Sequence, residues 1–108
     1  MDIVVGSIWM YLVDTVPGLR FVLGNSVIRV YLNDASVGSV FVHSGILTFY
    51  HFKYAYTDEL ASILNNRGYR ITPTPLITPG MLFEFDLGDP GCLEWIVGIM
   101  VAVVEGTL

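Results

Sequence analysis

Apolar and polar positions along this chain change period several times, and Gly and Pro interrupt them at short intervals, so the chain divides into many short elements. Ile3 to Val13 is rich in β-branched and aromatic residues and apolar on both alternating faces. That pattern suits a strand buried on both sides, with a helix as the alternative. After Val16-Pro17-Gly18, the segments Leu19 to Leu23 and Ser26 to Leu32 flank Gly24-Asn25, a pair suited to the positive φ angles of a two-residue hairpin. Val37 to His43 and Ile46 to Tyr56 flank Ser44-Gly45 in the same way, with Asn33 to Ser36 as the intervening loop. These segments predict an antiparallel meander.

At Thr57 the period changes from two to 3.6. Thr57 is a candidate N-cap, Asp58 and Glu59 suit the positive end of a helix, and Leu60, Ile63 and Leu64 form one apolar stripe. Gly68, followed by apolar Tyr69, has the pattern of a helix stop, with Arg67 near the negative helix end. Tyr69 to Ile77 is extended, but Pro73, Pro75 and Pro79 each remove a backbone donor, which fits an edge strand or a loop. Met81, Phe83, Phe85 and Leu87 fall on one face of a half-buried strand, with Glu84 and Asp86 on the other. The last element has Asp89 as N-cap and Pro90 at the first helical position, and runs to about Glu105.

The expected architecture is a single α+β domain: a mainly antiparallel sheet of five to seven strands, either strongly curved or open, with two helices at about 57–68 and 89–105 packed on one face. A barrel-like sheet would bury its second face internally. An open sheet would need a partner there.

Composition sharpens that question. Apolar residues make up 54% of the chain and charged residues 14%, well below the roughly 25% of an ordinary soluble domain. Less charge than usual is left to cover a monomer's surface, so part of that surface is expected to be covered by protein. The terminal helix, apolar from Leu93 to Val104 apart from Glu94, is shorter than the roughly 20 residues needed to span a membrane. The start has Asp2, no basic region and no cleavage-site pattern, unlike a signal peptide. With a single cysteine, Cys92, there is no intramolecular disulfide, and a reducing, cytoplasmic location is the expectation.

Net charge of -5 argues against wrapping duplex nucleic acid, since that affinity comes from basic residues displacing counterions. Lys53 is the one lysine, and Arg20, Arg29, Arg67 and Arg70 are dispersed. Tyr50, Phe52, Tyr54 and Tyr56 nevertheless share one face of an aromatic strand, and the three tyrosines with Lys53, Arg20 and Arg29 compose a candidate contact for an anion or single-stranded nucleic acid. Core or interface packing explains the same aromatics more simply. A two-residue turn at Gly24-Asn25 would set Arg20 directly opposite Arg29, an unfavourable pairing that splaying into water or a shared anion would relieve.

On the terminal helix, Gly98 and Ala102 lie four apart beside Trp95, so their small size would permit close packing against the sheet or against a second chain. If Ser44-Gly45 is a turn, His51 faces Gly38 and stands roughly 17 Å from His43, too far for a shared metal within one protomer. Cys92 sits in a first helical turn, where the dipole favours a thiolate, but Asp89 and Glu94 oppose it. No phosphate-binding loop, nucleophile elbow or metal-ligand motif occurs in the sequence. No catalytic residue, cofactor or metal is therefore assigned, and the sequence leans away from an enzyme.

The leading functional expectation is a small non-catalytic interaction or assembly module that forms a homo-oligomer or joins another protein, with Trp95, Gly98, Ala102, Tyr50, Tyr54 and Tyr56 as interface candidates. Single-stranded nucleic-acid binding is the first alternative. A small acidic inhibitor of a nucleic-acid enzyme is the second, and requires Asp14, Asp34, Glu84 and Asp86 to converge on one surface.

Overall fold

The computed structural model describes residues 3–52, 58–68, 70–73 and 80–105. Helix α1 (Ile3–Thr15) leads into strands β1 (Arg20–Leu23), β2 (Ile28–Leu32), β3 (Ala35–His43) and β4 (Ile46–His51). Helix α2 (Asp58–Asn66), strands β5 (Arg70–Pro73) and β6 (Met81–Asp86), and helix α3 (Cys92–Glu105) follow. The strands form one antiparallel sheet in the order β1-β2-β3-β4-β6-β5. The fold is α+β as expected. The sheet is not closed, because β1 and β5 stand at opposite edges.

The N-terminal segment is a helix, correcting the expected strand and adding a third helix to the two anticipated. Val5, Ile8 and Leu12 are buried at helical spacing, and Val16 continues the stripe. Apolar residues on almost every side had hidden that period. The Val16 amide still donates to the Leu12 carbonyl at 2.9 Å, and Pro17 follows where the helix stops. The indole N–H of Trp9 donates to the Phe21 carbonyl at 2.9 Å, giving a backbone acceptor on edge strand β1 a partner.

The meander forms with two local corrections. Leu23 pairs with Ile28 and the Gly24 amide donates to the Val27 carbonyl at 2.7 Å, so Asn25 and Ser26 are the turn residues rather than Gly24 and Asn25. Ser26 takes the positive φ, 63°. The next loop is shorter than the expected 33–36: Asn33 and Asp34, with φ of 51° and 68°, make a two-residue turn, and β3 starts at Ala35. Ser44 and Gly45, with φ of 52° and 76°, form the expected turn, and Gly38 faces His51 as anticipated. The part of the aromatic strand beyond Phe52, and the proposed N-cap Thr57, lie outside the described residues.

Strand β5 is an edge strand, one of the two alternatives expected for the proline-bearing segment, of which residues 69 and 74–77 lie outside the described residues. The Asp89 carboxylate accepts from the Gly91 amide at 2.9 Å, capping the turn that leads into α3. One face of the sheet is fully used. Ile28, Val40, Phe49 and Phe83 lie in register across it, and Leu47 pairs with Phe85 beside them. Val5, Ile8 and Leu12 of α1, Leu64 of α2, and Ile96, Ile99, Met100 and Val103 of α3 complete the same buried cluster. The Phe49 ring crosses β3 at Gly38, where even a Cβ would collide with it. Here glycine is required by close approach rather than by a turn.

Candidate interaction surface

Because side chains alternate along a strand, the residues between those core positions all point to the opposite face. Rows across it follow from the pairing register. Arg20 faces Tyr31, and Tyr31 faces Ser36. The next row runs Val22, Arg29, Ser39, Tyr50 and Leu82, then Phe41, Thr48 and Glu84, and finally His43, Ile46 and Asp86. Tyr31, Phe41, Ile46, Tyr50 and Leu82 are half-buried, and Phe52 is 38% exposed. None of these belongs to the buried cluster that the helices share.

Local packing fixes the aromatic side chains. Tyr50 and Phe52 meet edge to face with centroids 4.9 Å apart. Tyr50 lies over Gly80, where a Cβ would run into its ring. The Val37 carbonyl accepts from the Phe52 amide at 2.9 Å, holding Phe52 beside β3 past the end of β4. A depression of about 450 Å³ opens between Arg29, Tyr31, Ser39 and Phe52. A neighbouring one of about 460 Å³ is bordered by Leu32, Ala35, Ser36 and Phe52. Both are lined by apolar or aromatic side chains together with serine, the first also by Arg29, a mixture that can receive side chains from another protein surface.

The expected clash of Arg20 with Arg29 does not arise. The one-residue shift of the turn moves the pairing by two residues, so Arg20 faces Tyr31 and Val22 faces Arg29. The Arg20 guanidinium sits 4.4 Å from the Tyr31 ring centroid and 3.9 Å from Asp34 Oδ1. Both arginines remain on the open face, diagonal to each other. Of the other candidate contacts, Tyr50 lies on this face, whereas Lys53, Tyr54 and Tyr56 lie outside the described residues.

Trp95, Gly98 and Ala102 belong to the helix layer on the other side. Trp95 is 41% exposed and packs against Phe85 at 6.3 Å between ring centroids, while Gly98 and Ala102 are half-buried. Most of the exposed large apolar side chains among the described residues lie on that layer, including Val4, Met10, Val13, Val101 and Val104, with Ser7, Asp14, Glu94 and Glu105 exposed among them. The layer thus interleaves apolar and polar groups. The four carboxylates required by an inhibitor surface are dispersed: Asp14 is on α1 and Asp34 beside Arg20, while Glu84 and Asp86 share β6.

The two histidines are on opposite faces. His43 is exposed on the open face, and His51 is wholly buried with its ring 5.8 Å from that of Phe49. Cys92 is buried at the start of α3, and burial, reinforced by Asp89 and Asp86, pushes its thiol above the usual range despite backbone hydrogen bonds that act the other way. Such a thiol is a poor nucleophile at neutral pH. Among the described residues, no group of three or more His, Cys, Asp or Glu side chains is placed to hold a metal ion. No helix among them is long and apolar enough to cross a membrane.

The sequence placed Tyr50 and Phe52 on one aromatic face but missed Tyr31 and Phe41 as their companions. Their common facing depends on the pairing of three strands. No protein-family model, characterised protein or solved structure matches the chain.

Proposed function

We propose that this protein is a small non-catalytic assembly module whose working surface is the open face of its sheet. The observation that carries this reading is the grouping of Tyr31, Phe41, Tyr50, Phe52 and Leu82 on a face that contributes nothing to the shared core. A contiguous apolar surface with a polar rim is the usual signature of a protein-interaction site. Nucleic acid is the weaker occupant, because Glu84 and Asp86 share the face with the two arginines and would repel phosphate.

Light scattering across micromolar to millimolar concentration, combined with oxidative footprinting of Tyr31, Tyr50 and Phe52, tests this reading. Association should protect these aromatics as molar mass rises. A compact monomer throughout, with all of them equally reactive, overturns it.

A further inference from the structure

Charge on the open face is arranged along a diagonal. Arg20 and Arg29 occupy the β1–β2 corner. At the opposite corner, on β6, stands Asp86, with Glu84 one row away as the register partner of Arg70. Between the corners lie Phe41, Thr48 and Tyr50.

Distance prevents the corners from meeting within one chain. Arg29 and Asp86 are three strands apart and two rows apart. At about 4.8 Å per strand and about 7 Å per row, the offset is roughly 14 Å in each direction, a diagonal of about 20 Å. Arg20 is engaged by Asp34 and the Tyr31 ring. Arg29 is exposed, and among the described residues it forms no ion pair.

We infer that the partner of this face is a second copy of the chain, packed about a two-fold axis that sets Arg29 of each copy against Asp86 of the other. The inference rests on the assembly-module reading and names its partner. A two-fold lying in the interface at right angles to the charge diagonal exchanges its ends, so one operation satisfies both corners. Its midpoint falls over the paired residues Phe41 and Thr48, bringing the half-buried Phe41 ring of each face toward the other, while Thr48 is buried beside it. Since the diagonal runs at about 45° to the strands, the two sheets cross at about 90°, one of the two established modes of sheet packing. An axis parallel or perpendicular to the strands does not superimpose the two corners.

Charge reversal and mixing test the arrangement. Arg29→Glu alone and Asp86→Lys alone each place like charges at both contacts and should weaken self-association about tenfold or more. Mixing the two variants in equal amounts should restore it, because both contacts of the mixed dimer again join opposite charges. Asp86 also accepts from the Gly88 amide at 2.8 Å, so folding of its variant is checked by circular dichroism. Asp86→Asn, which retains a carbonyl acceptor there, should lower association several-fold. Wild-type association that neither variant alters overturns this inference and leaves the module reading intact. Weakening of both variants without recovery on mixing also overturns it. A wild-type chain that stays monomeric to millimolar concentration overturns both, as does Arg29-dependent binding of a mixed oligonucleotide by such a monomer.

Discussion

The two faces of this sheet use the same strands and similar residues yet have different physical situations. Phe49 and Tyr50 are neighbours on β4, but Phe49 is sealed beneath helices whereas Tyr50 lies on a half-exposed aromatic surface. Aromatic content therefore does not distinguish a core from an interface; coverage does. Strands that are apolar on both faces can complete a domain on one side and leave the other to a partner.

Truncation at paired positions provides the most direct way to break this comparison. Phe49→Ala removes a ring with 0% exposure, and should destabilise the fold by about 3–5 kcal/mol in chemical denaturation. Phe52→Ala should cost the dilute monomer less than about 1 kcal/mol, because its ring already meets water. Equal losses would mean that the open face is part of the core. Phe52→Asp sharpens the contrast, with self-association reduced about tenfold or more and the monomer's circular dichroism unchanged.

The covered face also depends on α3 beginning where it does. Asp89→Ala removes the carboxylate that accepts from Gly91 and should cost about 1 kcal/mol, visible as a lower denaturation midpoint with no change in association measured well below it. A larger effect on association than on stability would move the interface to the helix side, toward Trp95, Gly98 and Ala102.

Legibility in the sequence followed the strength of local constraint. Ser44 and Gly45 carry the positive φ angles of a two-residue turn, and this short-range feature sets the register that separates the histidines. Gly24-Asn25 was less decisive, because Ser26 can also adopt positive φ; the resulting two-residue pairing error still left each side chain on its correct face. Helix α1 was obscured for a different reason. Periodicity is visible only through polar interruptions, and Ile3 to Val13 has too few to separate 3.6 from two. The charge diagonal was beyond local reading: it arises because the chain returns from β5 to place β6 beside β4, giving Glu84 and Asp86 their positions relative to Arg29.

Cys92 offers the smallest effect and a probe confined to the covered side. Its thiol is held above the usual range in the folded chain chiefly by burial, so folding favours the protonated form. The associated stability is fully present below the unfolded thiol's ordinary pKa and is lost as pH rises through the higher folded value. Cys92→Ala should flatten the alkaline decline in stability relative to wild type, even if the small cavity lowers stability at every pH; an unchanged slope would show that thiol ionisation contributes nothing to it. At neutral pH, alkylation of Cys92 should require opening of the helix-covered side. If two copies meet through the opposite face, association stabilises the folded chain by mass action and slows that alkylation as concentration rises, without either copy touching the thiol. A concentration-independent rate in a sample that demonstrably associates would separate thiol exposure from dissociation and locate a local opening around the start of α3.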